Sequence, residues 1–358
     1  MNTEQNKVLE SLGFDSFFHN SFSSLNNGEF SPARITEVNK GSFRVSDGTH
    51  EMPAELSGKF MFTADEISDY PTTGDWVVIQ PLDNFSIAVI HDIFPRKTLL
   101  KRKAPGKKVD FQLIASNIDF GLVVQSADAL NLNSLERYLV MLNESRIEPI
   151  IVMSKIDLLS PSELVEMQKM LIRLGSRYLL VSNITSKGIE SLSNELQPCR
   201  TYCLLGSSGA GKTSLLNKLF GEELLRVNEV RGKDGKGRHT TVRRQLIRLQ
   251  SGSIFIDTPG MRELGNLEVA SGIEQTFDEI AALGTMCLFK DCTHIHEKGC
   301  AVIEALEQGN IDPDRYKNYL KLKKESDYYE MSHLEKRKKE KTFGKIIKNY
   351  KKMKRGDD

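Results

Sequence analysis

Residues Gly206-Ser207-Ser208-Gly209-Ala210-Gly211-Lys212-Thr213 read Gly-x-x-x-x-Gly-Lys-Thr, the spacing of a P-loop. The glycines allow successive backbone N–H groups to curl around phosphate oxygens. On this reading Lys212 reaches the β- and γ-phosphates of a nucleotide, as a binding and a catalytic group. The Thr213 hydroxyl binds Mg²⁺, and Ser214 follows at the start of a helix. The preceding Thr201-Tyr-Cys-Leu-Leu205 has strand character, and Ser214-Leu-Leu-Asn-Lys-Leu-Phe220 has helix character. Strand, glycine-rich loop and helix in succession are the context this motif requires. The bland alternative, a glycine-rich turn with no ligand, does not need the Lys-Thr pair.

Downstream, the apolar run Ser253–Ile256 leads into Asp257-Thr-Pro-Gly260, a DxxG element. Asp257 would hold Mg²⁺ through water, and the Gly260 N–H would sense a γ-phosphate. Between the two elements lies Gly237-Arg-His-Thr-Thr241, placed where a first switch segment belongs. Either Thr240 or Thr241 can complete the Mg²⁺ shell.

The base-reading elements precede the P-loop. The run Pro149–Met153 ends in Ser154-Lys155-Ile-Asp157, close to the Asn-Lys-x-Asp motif of guanine sites. The Asp157 carboxylate would accept from the guanine ring N–H and its exocyclic amine. Adenine reverses that pattern and would leave a buried carboxylate unpaired. Ser154 stands where Asn is usual, and its hydroxyl can still tie this loop to the P-loop. Tyr178–Ser182 is another strand-like run, and Ser182-Asn183 with Gly188 resembles the last guanine-contacting loop, Asn183 replacing the commoner Ala. The order is therefore base motifs first and P-loop, first switch and second switch afterwards, a circular permutation. Close-lying termini let a compact domain tolerate that.

Cys287, Cys292, His294 and Cys300 form a C-x₄-C-x-H-x₅-C cluster that suits one tetrahedral Zn²⁺, with His296 a competing ligand. Free thiols in a small core are the plain alternative; Cys199 and Cys203 are read that way. Toward the N-terminus, short alternating runs at 32–38, 42–46, 50–56, 75–79 and 87–94 predict a small closed barrel of the OB type. Residues 1–27 form a helical or loose lead-in from which Phe14, Phe17 and Phe18 can pack on the barrel.

Two basic runs stand out in a chain whose net charge is only +1: Arg96–Lys108 carries no acidic residue, and Lys336–Arg355 has eleven Lys or Arg against Glu340. A solvated helix face is the ordinary reading of such runs. Beside a barrel and a metal module they favour RNA phosphate as a partner. At 358 residues, 39% hydrophobic and 27% charged, the chain has room for two or three globular domains, and no apolar run approaches a membrane span. The expected organisation is multidomain. It has an N-terminal segment and OB-fold barrel (1–103), a central α/β circularly permuted P-loop GTPase (104–270), and a mostly α-helical zinc-binding domain with a basic tail (271–358).

The barrel, the permuted motifs and the Cys/His module in this order resemble the RsgA (YjeQ/YloQ) family of circularly permuted GTPases of small ribosomal subunit biogenesis. Ser154, Asn183 and Val242 depart from the family pattern. The resemblance implies a cytoplasmic, monomeric GTP hydrolase that uses Mg²⁺ and carries one Zn²⁺. Its partners would be GTP/GDP, the 30S subunit and its 16S rRNA, with no membrane. It favours Thr241 as the Mg²⁺ ligand and points to His239 as the group that positions water. Met261 follows Gly260 where many GTPases have Gln, so that group must come from elsewhere. His239 as a solvent-facing or RNA-contacting residue is the alternative. An RNA-binding assembly scaffold that uses GTP only as a ligand switch is the alternative function.

Overall fold

Inward and outward residues alternate between Ser31 and Ile93, and the strands they form close on themselves. The structure, a computed structural model, describes residues 3–23, 29–39, 42–103, 111–207, 209–220, 244–257 and 270–330. Strands β1 (Ser31–Asn39), β2 (Ser42–Ser46), β3 (Glu51–Leu56), β4 (Trp76–Leu82) and β5 (Ile87–Ile93) match the five expected runs. β1 pairs with β2 and β4, β2 with β3, β3 with β5 and β5 with β4, which closes an OB-type barrel. Ile35, Val45, Met52, Ile79 and Ile90 fill its interior. The same period turns Trp76 and Val78 of β4 outward, onto the N-terminal helices α1 (Thr3–Glu10) and α2 (Ser16–Ser23). Phe14, Phe18 and Phe22 are buried there, whereas Phe17 is 40% exposed. Phe18 and Phe22 lie four apart on one face of α2, and Phe17 falls on its flank. A short helix, α3 (Gly58–Thr63), links β3 to β4.

After a hairpin of β6 (Leu99–Lys103) and β7 (Phe111–Ser116), the chain builds a second sheet. β8 (Phe120–Ser126), β9 (Glu148–Ser154), β10 (Arg177–Leu180), β11 (Thr201–Leu205) and β13 (Ile254–Asp257) run parallel in the order β10-β9-β8-β11-β13. β12 (Arg244–Arg248) adds an antiparallel edge beside β13. The central strands are covered on both faces, which is why they read as continuous apolar runs rather than alternating ones. The helices are α4 (Leu132–Glu144), α5 (Pro161–Ile172), α6 (Ile189–Glu195) and α7 (Lys212–Phe220). The Asn131 side chain caps α4, and a Ser160/Glu163 capping box with Pro161 in the first turn starts α5.

The barrel and this sheet share hydrogen bonds. β12 pairs antiparallel with β1 through Glu37↔Gln245 and Val38↔Arg244, so one sheet of eleven strands runs through both. Arg34 locks the junction. It is 1% exposed, and its Nε donates to Gly74 O at 3.2 Å, Nη1 to Leu12 O, and Nη2 to Asn117 O at 3.1 Å and Thr201 Oγ1 at 2.9 Å. Those acceptors belong to the lead-in, the barrel and the parallel sheet. Burial lowers the Arg34 pKa to about 10, opposed by the charges of Asp119 and Asp75, so the guanidinium stays protonated at neutral pH.

The chain divides into two compact units, residues 1–264 and 265–358. The second holds helices α8 (Ala270–Thr276), α9 (Asp278–Gly284), α10 (Ala301–Glu307) and α11 (Pro313–Glu330). Its centre is buried Phe277, with Tyr319 edge-on and the Arg315 guanidinium 4.8 Å above the ring. Arg315 also donates to Thr276 O at 2.8 Å and pairs with Glu279.

Arg34→Ala strands buried acceptors on three elements. It should destabilise the first unit by roughly 3 kcal/mol or more. At this size that lowers the melting temperature by about 6–12 °C, read by thermal unfolding.

Candidate nucleotide site and metal centre

Parallel strands present their C-terminal ends to one edge of a sheet, and ligands bind where the strand order reverses. Here the chain winds outward from β8 through β9 to β10, then returns to place β11 on the other side of β8. The P-loop leaves β11, the 154–157 motif leaves β9, and the 182–188 loop leaves β10. The three elements therefore meet although the sequence orders them unusually.

The P-loop backbone has the shape its glycines permit. Gly206, Gly209 and Gly211 lie at φ +131°, +82° and +81°. A Cβ on Gly206 would sit 2.0 Å from Val124 O, so only glycine fits beside β8. Lys212 opens α7 and lays its Nζ across the loop, 2.6 Å from both Gly206 O and Ser207 O. Thr213 and Ser214 are exposed in the same first turn, while Ala210 is buried. Ser208, Gly260 and the segment 237–241 with His239 and Thr241 lie outside the described residues. Asp257 is the last residue of β13. A hydroxyl at 213 and a carboxylate at 257 are the oxygen donors that Mg²⁺ prefers. When bound with the nucleotide, that ion would neutralise phosphate charge.

The base-side loops are latched together. Ser154 is fully buried, and its Oγ lies 2.7 Å from Ala210 O and 3.1 Å from Gln125 O. The hydroxyl thus ties this loop to the P-loop, as expected from its chemistry. Lys155 follows in the left-handed region at φ 57° and turns the chain into the Ile156–Leu158 3₁₀ turn. Asp157 is exposed on that turn, not buried as the sequence suggested. Its Oδ1 accepts from the Ser182 hydroxyl, and among the described residues no donor reaches Oδ2. A base edge can therefore approach that oxygen from solvent. Ser182 Oγ also accepts from Thr185 N at 3.1 Å, and a Cβ on Gly188 would strike Leu180 O at 1.9 Å.

Sequence reasoning missed two groups that hold this site. Gln125 supplies a carbonyl to Ser154 and brackets the start of α4 through Asn131. Lys218, in the last turn of α7, donates to Asn183 O at 3.0 Å. Neither carries a motif signal, because each acts through backbone atoms that only folding brings near.

In the second unit Cys287, Cys292, His294 and Cys300 converge, with all ligand atoms within 4.8 Å of one another. Cys287 Sγ and Cys300 Sγ lie 3.6 and 3.4 Å from His294 Nδ1 and 3.8 Å from each other. A tetrahedral Zn²⁺ with its usual bond lengths needs ligand separations of about 3.5–3.8 Å, so the donor set and spacing fit that ion. His294 is buried in the left-handed region, its ring against Gly284 and its carbonyl bonded by Tyr316. His296 is exposed and outside the cluster, which decides between the two histidines. Glu297, unremarked in the sequence, folds the ligand loop. It accepts from the Thr293 hydroxyl, Thr293 N, Ile295 N and His296 N. The Thr293 hydroxyl bond is the main reason its carboxyl titrates well below the usual range. Cys203 is fully buried with its thiol pushed up to about 12, an inert core thiol.

The first basic run is partly consumed by the fold. Arg96 forms a bidentate pair with fully buried Asp75, both contacts 2.8 Å, and Lys97 pairs with Asp15. Lys101 lies over Phe111. Lys107, Lys108 and the Lys336–Arg355 run lie outside the described residues.

Purified protein is expected to carry one zinc per chain by metal analysis. Cys292→Ser should lose it and loosen the second unit, since structural zinc contributes on the order of 10 kcal/mol to small modules. Zinc retention should also weaken as pH falls, because protons compete for the thiolates.

The RsgA GTPase family pattern matches residues 93–267. Small ribosomal subunit biogenesis GTPase RsgA of Opitutus terrae is 36% identical over 332 residues, 90% of each chain. Small ribosomal subunit biogenesis GTPase RsgA 1 of Bacteroides thetaiotaomicron is 36% identical over 332 residues, 91% of this chain and 92% of that one. Among solved structures, YjeQ from Thermotoga maritima superposes with a TM-score of 0.63 at 24% identity, covering 83% of this chain and 98% of that one. YloQ, a circularly permuted GTPase, gives 0.62 at 24% identity over 86% and 99%. These two support the fold, and the relatives of higher identity, matched over nearly their whole length, carry the assignment: the chain belongs to the RsgA GTPase family.

Proposed function

We propose that this protein binds the 30S subunit late in its maturation, hydrolyses GTP to GDP and phosphate when the subunit stimulates it, and then leaves. The observation that carries the reading is the meeting of Ser154, Asp157, Ser182 and the Gly206–Thr213 loop at one sheet edge. Relatives named for small ribosomal subunit biogenesis supply the process.

In this reading Ser207, Ser208, Gly209, Ala210 and Gly211 cradle the phosphates with their N–H groups. Lys212 exchanges its loop carbonyls for β- and γ-phosphate oxygens. Thr213 and Thr241 hold Mg²⁺, Asp257 orders its water, and Gly260 reports the γ-phosphate. His239 positions the attacking water, the role that Met261 lacks the chemistry to fill. The second switch leads in sequence into the zinc-bearing unit and its basic tail, so the triphosphate state would set an RNA-binding surface. The scaffold reading, with GTP as a ligand switch only, is favoured by Met261 alone.

Phosphate release measured with and without purified 30S subunits separates the two. Multiple-turnover release that rises with subunits supports the GTPase reading, and unstimulated negligible release supports the scaffold. Co-sedimentation should show tight 30S binding with a non-hydrolysable GTP analogue and weak binding with GDP, both weakening with salt as counterions are released. His239→Ala should keep subunit binding but fail to hydrolyse, and loss of residues 336–358 should lower subunit affinity with nucleotide binding unchanged. Equal binding in both nucleotide states would refute the coupling.

Asp157→Asn should shift preference from guanine toward xanthine nucleotides in a competition assay, because an amide donates where the carboxylate accepts. Wild-type binding of ATP as tight as GTP would end the guanine assignment.

A further inference from the structure

The two departures from the usual guanine motifs, Ser154 and Asn183, sit together. An ideal Cβ on Gly211 would lie 3.4 Å from Asn183 Nδ2 and 3.7 Å from Ser154 Oγ. Both side chains thus reach one point at the base-side end of the P-loop. Their hydrogen-bonding capacities differ. The Ser154 hydroxyl has one proton, and Ala210 O at 2.7 Å and Gln125 O at 3.1 Å already compete for it. It has none left for a base. The Asn183 carboxamide has two N–H donors. Its Oδ1 is enclosed by protein and meets no hydrogen-bond partner among the described residues, so none of these anchors the amide through that atom. Its backbone carbonyl is held separately, by Lys218 Nζ at 3.0 Å.

We infer that Asn183 reads the guanine base with its side-chain Nδ2, supplying the amide donor that Ser154 cannot. The target is the O6/N7 edge of the purine, which in guanine presents two acceptors. Adenine places an amino donor at the 6-position, opposite the Asn183 donor. Asn183 therefore reinforces the discrimination made by Asp157 from the opposite edge of the ring. This rests on the guanine-nucleotide reading above and does not depend on the ribosomal partner.

The test is equilibrium binding of fluorescent GDP and ADP to the full chain, with melting temperatures recorded for every variant. Asn183→Ala should weaken GDP about tenfold, the scale of one hydrogen bond to a buried partner, and weaken ADP by much less. The isosteric Asn183→Asp, which presents acceptors to O6, should cut the GDP-over-ADP preference further. Ser154→Asn placed on Asn183→Ala should recover GDP affinity. Should Ser154→Asn melt early in its buried site, the Asn183→Asp ratio decides. Unchanged GDP affinity in Asn183→Ala, or equal losses for GDP and ADP, overturns the inference. If the unsubstituted protein itself does not prefer GDP to ADP, the guanine reading falls with it, and that outcome is told apart because no variant is needed to see it.

Discussion

A charged guanidinium with almost no solvent contact is costly unless every donor is used. Arg34 comes close to that requirement, with four of its five N–H groups donating to Leu12 O, Gly74 O, Asn117 O and Thr201 Oγ1. The turn at Gly74 must come close to do so: a Cβ there would lie 2.3 Å from Ser116 O. Nearby, Asp75 is also fully buried and neutralised by Arg96. Arg34 and the close turn at Gly74, which also meets Ile256, thus tie the barrel to the parallel sheet, and the P-loop strand β11 begins at the very threonine that Arg34 grips.

That junction has a second component. β12 begins at Arg244, three positions after Thr241, and pairs at once with Val38 of the barrel. Thr73 Oγ1 reaches Arg244 O at 3.3 Å from the same side. The segment proposed as the first switch is therefore followed in sequence, three residues on, by a strand in the barrel's hydrogen-bond ladder. The proposed second switch, by contrast, is followed in sequence by the second unit. Permutation makes both arrangements possible, since it moves the termini without altering which strand ends face the nucleotide.

The second unit solves a different problem. The ligand loop from Cys287 to Cys300 leaves Leu288 and Ile295 largely exposed and Phe289 about half so, with Met286 exposed just before it. It cannot be folded by burial of its own apolar groups. The loop's shape comes instead from convergent thiols, from the Glu297 carboxylate that collects its N–H groups, and from Tyr316 and Gly284 that seat His294.

Much of this was legible without coordinates. Gly206, Gly211, Lys212 and Thr213 are dictated by phosphate chemistry at fixed spacing, so the loop is readable wherever it lies in the chain. The barrel strands are readable because one face of each is buried, which imposes a period of two. The Cys/His spacing announces a metal. What sequence could not supply were contacts between atoms far apart in the chain. Arg34 looks like any polar residue in a strand, yet it binds partners as distant as Thr201. Arg96 and Lys97 look like free charge for RNA but are neutralised by Asp75 and Asp15. Between His294 and His296, only the turn at His294 and the packing of Gly284 decide which imidazole faces the thiols. Sequence by itself determined the local chemistry, because motifs bind ligands through residues a few positions apart. Tertiary structure alone decided which polar groups are spent on the fold and which stay available to a ligand, because burial and hydrogen-bond partners are set by the whole chain.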